Sequence, residues 1–192
     1  MKSWDQDRLE NNLNRINKNK IGILGGTFDP AHIGHIKISS VAKKRFALKK
    51  IIWAITKKNP FKKKSNLNLK QRIKFAKKLT YKKKFIKVNY YEDKINSNKT
   101  IKLINFIQKR ERNSKIYFIM GADNLINFHK WSRWKEISLK CNILVFDRSK
   151  YKTKSLKSIA YRKYNKRLKY INFKKINISS SQLRKNLIIK NQ

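Results

Sequence analysis

Residues 21–36 read IGILGGTFDPAHIGHI. A short apolar run closed by Gly25 and Gly26 is the pattern of a strand buried on both faces. From Gly34 to Leu48, apolar Ile36, Val41, Phe46 and Leu48 recur among lysines at helix-like spacing, so the stretch predicts a strand feeding directly into a helix. Gly25 and Gly26 are expected to let the backbone turn tightly and to let a phosphate approach without a Cβ in the way. Gly34 permits close packing where the helix begins. A helix start offers backbone N–H groups and a partial positive charge, which suits a polyphosphate. His32 and His35, three residues apart, are expected to point their rings the same way from the first turn. Two imidazole donors aimed at one phosphate would stabilise the negative charge that develops during in-line attack.

The alternation continues outward. KIIWAIT (50–56), FIKVNY (85–90), KIYFIMG (115–121) and NILVFD (142–147) read as strands. NLKQRIKFAKKL (68–79), TIKLINFIQKR (100–110) and WSRWKEISLK (131–140) read as helices, the first with Ile73, Phe75, Ala76 and Leu79 on its apolar side. Beyond a basic linker near Lys150 follow a helix to Lys169, a short strand at YINF (170–173) and a last helix from Ser180. Continuous apolar strands alternating with helices predict an α/β fold, a Rossmann-like doubly wound sheet, mainly parallel, with its ligand at the carboxyl ends of the strands. Residues 1–20 read as a polar extension with Trp4 and Leu9 as anchors, and residues 21–192 as a single domain.

The composition narrows the function classes. One cysteine, Cys141, builds no disulfide framework and points to a reducing compartment. No apolar run approaches the roughly 20 residues that cross a bilayer. The opening residues lack the apolar stretch of a secretory signal, and Asp5, Asp7 and Glu10 argue against an acid-poor presequence, so a cytoplasmic protein is expected. The net charge of +41 is spread over nearly the whole chain together with abundant Asn and Ile, as an AT-rich coding sequence would produce. Such an excess attracts anionic substrates and would give salt-sensitive, non-specific RNA binding as a side effect. A dedicated RNA-binding protein is the rival reading from another class, but no recognisable RNA-binding module accompanies the charge.

Near the end, residues 178–184 read ISSSQLR. Ser179, Ser180 and Ser181 mark a helix start with hydroxyls and backbone donors facing one spot, and Arg184, about one turn in, can hold a phosphate with its planar fork. Read alone, this is a helix cap beside a surface arginine. The chain carries neither G-x-x-x-x-G-K-[ST] nor G-x-G-x-x-G, so a nucleotide site here must be built another way.

The stretch GGTFDPAHIGH (25–35) resembles the H-x-G-H signature of the adenylyl- and cytidylyltransferase superfamily, and its fuller string resembles bacterial nicotinate-nucleotide adenylyltransferases. ISSSQLR is similar to the family's second signature, with Ser181 where Thr is common. MGADNLINFHKWSRW (120–134) resembles its G-x-D-[SN]-L-x-x-F-x-x-W segment, and VFDRS, with Asp147 and Arg148, its fifth strand and following loop. The resemblance runs from about residue 21 to residue 187.

It implies transfer of AMP from ATP to nicotinate mononucleotide, giving deamido-NAD and pyrophosphate in NAD biosynthesis. It places His32 and His35 at the α-phosphate, with Gly25, Gly26, Thr27, Phe28 and Gly34 in the phosphate-binding turn. Ser179, Ser180, Ser181 and Arg184 would hold the β- and γ-phosphates. Asp123 stands as a ribose ligand or a helix cap, and Trp131 as a platform for the pyridine ring or a core residue. Trp134 reads as structural and His129 as outside the chemistry. Asn59, Pro60 and Lys62 look like the family's acceptor loop, with Lys62 or Lys63 reaching the acceptor phosphate. Mg²⁺ is expected to arrive with ATP and to sit mainly on substrate oxygens, since no dedicated metal cage is visible. Sister enzymes using nicotinamide mononucleotide or phosphopantetheine are the nearest alternatives. The middle segment argues against the latter.

Overall fold

The computed structural model describes residues 19–58, 65–147 and 150–172. Six strands, β1 (Lys20–Gly26), β2 (Lys50–Ile55), β3 (Ile86–Tyr90), β4 (Lys115–Gly121), β5 (Asn142–Phe146) and β6 (Leu168–Ile171), form one sheet in the order β3-β2-β1-β4-β5-β6. All five ladders are parallel. This is the doubly wound order, and the strand sequence reverses between β1 and β4, where the carboxyl ends open a crevice.

The apolar strands divide cleanly between two faces. Ile21 and Ile23, Ile52 and Ala54, Phe118 and Met120, and Ile143 and Val145 point to one side. There they meet Ile101, Ile104 and Ile107 of the helix Thr100–Arg110. Leu24, Ile51, Trp53, Ile119, Leu144 and Phe146 point to the other side, against Ile36 and Ala42 of helix α1 (Ile33–Phe46) and Ala76 of helix α2 (Leu69–Thr80). Alternation along each strand sends successive side chains to opposite layers, so strands covered on both sides are apolar throughout. Gly22 sits where this packing is closest: a Cβ there would lie 3.0 Å from side-chain carbons of both Ile51 and Leu48.

Along the chain, β3 leads into one turn, α3 (Glu92–Ile95), and then α4 (Thr100–Arg110). Strand β4 leads into α5 (Ala122–Ile126), a 3-10 turn (Phe128–Lys130) and α6 (Trp134–Lys140). Two short helices, α7 (Lys152–Leu156) and α8 (Ile159–Tyr164), connect β5 to β6. Among the described residues no helix is long and apolar enough to cross a membrane.

Several expectations change. On α2, Phe75 is 45% exposed while Arg72 is buried, so the inward side of that helix carries a cation in place of the ring. The stretch expected to be a helix from Trp131 forms one only from Trp134, because Arg133 takes a left-handed backbone (φ 53°) as its N-cap. The helix expected up to Lys169 is broken into α7, α8 and a 3-10 turn (Asn165–Arg167), and β6 begins at Leu168, two residues before YINF. The expected final helix from Ser180 and the anchors Trp4 and Leu9 lie outside the described residues.

Candidate active site

A cavity of about 580 Å³ opens at the β1–β4 reversal. The end of β1 forms its floor, and the segments after β2, β3 and β4 form its walls. Gly25 and Gly26 reach it as strand residues with ordinary backbone, since no described glycine has positive φ. A Cβ at Gly26 would stand 3.5 Å from the Phe28 ring and one at Gly25 3.7 Å from Phe118, both ordinary contacts. The sharp turn expected of the glycines is made two residues later by Phe28, which adopts the left-handed region (φ 49°). The Asp29–Pro30 peptide is cis.

The two histidines form the entry to α1. His32 is its N-cap in extended backbone, one residue outside the helix, and is almost fully buried. Its Nδ1 accepts the Gly34 N–H at 3.0 Å, while Nδ1 of His35 accepts the His32 N–H at 3.2 Å. This is a capping box made from two imidazoles. With both Nδ1 atoms accepting, a neutral ring carries its proton on Nε2, so each histidine keeps one donor nitrogen away from the cap. The rings sit 4.0 Å apart, centre to centre. The Gly34 N–H is committed to this cap.

His35 reaches the cavity and is braced from behind. Phe28 lies 4.8 Å from its ring and stacks on Trp53 at 4.9 Å. The Trp53 indole N–H donates to Ser39 Oγ at 2.8 Å, and the Ser39 hydroxyl donates to the His35 carbonyl, also at 2.8 Å. A buried tryptophan in a central strand needs such a partner. That need was the one signal in the sequence pointing towards this brace.

Across the cavity, β4 ends at Gly121, the N-cap of α5, which places Asp123 in the first turn of that helix at the cavity wall. Trp131 lies beside it, its ring edge-on to Phe128 at 5.4 Å and to Phe118 at 6.0 Å. The histidine entry thus reaches the cavity from the layer of Phe28 and Trp53, and the acid and the indole from the layer of Phe118 and Phe128 on the other side of the sheet. Trp134 packs against Phe128 and Tyr164, as expected of a structural residue.

Two residues that sequence reasoning missed tie the loops together. Arg72 donates from Nε to the Leu67 carbonyl, from Nη1 to those of Thr27 (2.6 Å) and Thr56 (2.7 Å), and from Nη2 to that of Lys57 (3.0 Å). Burial pulls its guanidinium below the ordinary arginine range, against the opposing pull of Asp29 and Glu92. Glu92 accepts the Lys57 N–H through Oε2 at 3.2 Å, and burial pushes its carboxyl upward despite that bond. Neither role has a local signature: Arg72 sits in a lysine-rich helix, and Glu92 opens a single turn too short to show periodicity.

The structure therefore gathers Gly25, Gly26, Thr27, Phe28, His35, Asp123 and Trp131 around one cavity, with His32 and Gly34 forming the cap beside it. Arg184, Ser179, Ser180, Ser181, Lys62, Lys63, Asn59, Pro60 and Arg148 lie outside the described residues. Among the described residues no three His, Cys, Asp or Glu side chains converge in a way that could hold a metal ion.

An open parallel sheet with a histidine-capped helix entry at its switch point defines a nucleotide-handling α/β protein. The family model described as cytidylyltransferase-like matches residues 23–186, and the chain belongs to that family of nucleotidyltransferases. A relative in Pelagibacter ubique (strain HTCC1062), described as a probable nicotinate-nucleotide adenylyltransferase, is 67% identical over 92% of this chain and 97% of its own length. A relative in Rhizobium meliloti (strain 1021) with the same description is 35% identical over 67% of this chain and 68% of its own. The solved nicotinic acid mononucleotide adenylyltransferase of Plasmodium falciparum, complexed with NaAD, shares the fold with a TM-score of 0.66 at 18% identity, covering 87% of this chain and 83% of that one.

Proposed function

We propose that the chain transfers the adenylyl group of ATP to nicotinate mononucleotide, releasing pyrophosphate and forming deamido-NAD, in the cytoplasm. The observation that carries the proposal is the shared cavity: a histidine-bearing helix entry on one wall faces an acid and a flat indole on the other.

The 5′-phosphate of the acceptor attacks the α-phosphorus of ATP. A new P–O bond forms there as the bond to the bridging oxygen of pyrophosphate breaks. The attacking phosphate is already anionic near neutral pH, so no general base or covalent nucleophile is required, and the work is alignment and charge stabilisation. His35 Nε2–H, with His32 beside it, is assigned to the α-phosphate oxygens, where a donor held in place contributes most. Thr27 and Phe28, with the open strand end at Gly25 and Gly26, border the phosphates. Asp123 is assigned to ribose hydroxyls and Trp131 to stacking on the pyridine ring. Ser179, Ser180, Ser181 and Arg184 are assigned to the departing pyrophosphate, and Lys62 to the acceptor phosphate. Mg²⁺ is assigned as the counter-ion that ATP brings, sitting mainly on substrate oxygens.

The test is pyrophosphate release from ATP with nicotinate mononucleotide, nicotinamide mononucleotide and phosphopantetheine as acceptors. Turnover with the first well above the others is expected, and turnover confined to another acceptor would overturn the assignment. RNA retardation that fades at moderate salt is the expected side effect of the +41 charge.

A further inference from the structure

The cavity is bordered by two loops that the proposed chemistry must hold in register. One follows β1 and carries Thr27 and Phe28 into the histidine cap. The other follows β2 at Thr56 and returns to α2 through Asn66 and Leu67. Arg72 binds carbonyls on both: Thr27 on the first loop, and Thr56, Lys57 and Leu67 on the second. The reverse tie comes from Asp29 on the first loop, whose carboxylate accepts the N–H groups of Asn66 at 2.9 Å and Leu67 at 3.0 Å. Lys57 is held from both sides, its carbonyl by Arg72 and its N–H by Glu92. The second loop is thus pinned to the first at both of its ends.

This goes further than filling a helix–sheet gap. A buried cation is ordinarily matched by a carboxylate that accepts its hydrogen bonds. Arg72 is 2% exposed, yet among the described residues its hydrogen bonds all end on backbone carbonyls of residues bordering the cavity or leading from it. Three nitrogens in one rigid plane fix the relative position of the peptides they bind. A lysine supplies a single compact ammonium and cannot reproduce that geometry.

We propose that Arg72 is a positioning residue for adenylyl transfer, acting with Asp29 to hold the exit of β2 at Thr56 and Lys57 and the entry to α2 at Asn66 and Leu67 in register with the segment that carries Thr27 and Phe28 into the histidine cap. The inference rests on the reading given under Proposed function. In-line attack tolerates little error, and a misplacement of about 1 Å costs roughly 10²-fold in rate. Arg72 is buried and does not line the cavity, so its loss should act on kcat more than on the binding of either substrate alone.

The experiment compares wild type, Arg72→Lys, Asp29→Asn and the double variant, using whichever mononucleotide the wild-type enzyme accepts. Failure with nicotinate mononucleotide would then sink the acceptor assignment without touching this one. For each protein, kcat per folded molecule, KM for each substrate and Tm are measured at two temperatures well below the melting transition. Arg72→Lys is expected to lose roughly 10²-fold in kcat with each KM changed only a few-fold. Asp29→Asn gives up one of the hydrogen bonds from the Asn66 and Leu67 N–H groups, should fold where Arg72→Lys fails to, and is expected to show a smaller loss of the same kind. The double variant should fall short of the product of the single losses, because both side chains tie the same pair of loops. Wild-type kcat per folded molecule in either single variant, independent multiplicative losses, or recovery of kcat on cooling in step with Tm would reduce the pair to ordinary supports of the fold.

Discussion

The two walls of the cavity are built in different ways. On the histidine wall the histidines are held by directed hydrogen bonds: His32 and His35 cap one helix between them, and Trp53, Ser39 and the His35 carbonyl form a relay. On the opposite wall Trp131 is placed by aromatic edges, and Asp123 stands on a helix of five residues. Directed bonds hold a donor to within a few tenths of an ångström, as charge stabilisation at a transition state requires. Aromatic packing defines a plane but tolerates sliding, which suits a flat ring. Under the proposed function, the histidine wall serves the reaction and the indole wall the choice of acceptor.

That division sets an order of expected effects. The largest belongs to His35→Ala, which should lower kcat by about 10²–10³-fold and leave KM for the mononucleotide within a few-fold. A comparable rise in KM would erase the distinction between the walls. Next is Trp131→Ala: loss of a stacking platform worth about 1–3 kcal/mol should raise KM for the mononucleotide by roughly 5- to 150-fold and spare kcat. Trp131→Phe, which keeps a flat face, should recover part of that loss.

Ser39→Ala probes the relay behind His35. It leaves the buried Trp53 N–H without its partner, at a cost of about 1–3 kcal/mol, and urea unfolding should show the loss. If directed bonds matter on this wall, kcat falls several-fold as well; a purely thermodynamic effect would show that the Phe28–Trp53 stack alone suffices to place His35.

Glu92→Gln examines the tie to Lys57 through pH. Burial raises the Glu92 carboxyl in the folded state, so the unfolded chain releases this proton first. Its contribution to stability is therefore greatest below the ordinary carboxylate range and declines as pH rises towards its folded value. Glutamine removes that decline, and the stability difference between variant and wild type should grow in the variant's favour across the window. A difference constant with pH would mean that Glu92 is not the group titrating there.

How much of this was legible depended on the length of the signal. Strands β1 to β5, α1 and α4 could be read because each carries several apolar residues at one period, and the H-x-G-H segment because its residues lie in one run. The segment's internal geometry could not be read. Glycines suggested a sharp turn, but the left-handed residue is Phe28, held there by its stack on Trp53, a contact between distant positions. Phe75 and Arg72 exchanged their expected places for a related reason. Periodicity assigns apolar residues inward, and four loop carbonyls that need a donor leave no trace in the helix that supplies it. The short helices α3 and α5 contain too few residues for any period to show.

The smallest expected effect tests whether the indole wall opens independently. Cys141 closes α6 and enters β5, packed in the same apolar layer as Phe128 and Met120. Burial pushes its thiol up to about 12, so a thiol reagent at mildly alkaline pH should leave the native protein essentially unlabelled and modify one thiol per chain once it is denatured. The informative quantity is how labelling responds to low urea. Exposure that requires global unfolding accelerates steeply with denaturant, whereas a local opening of α5, α6 and the turn carrying Trp131 would be almost insensitive to it. Steep dependence is expected, because the aromatic edges around Phe128 join this wall to the layer beneath the sheet. A flat response would mean that the indole platform is mobile as a unit, and acceptor choice would then depend on its closing as well as on its shape.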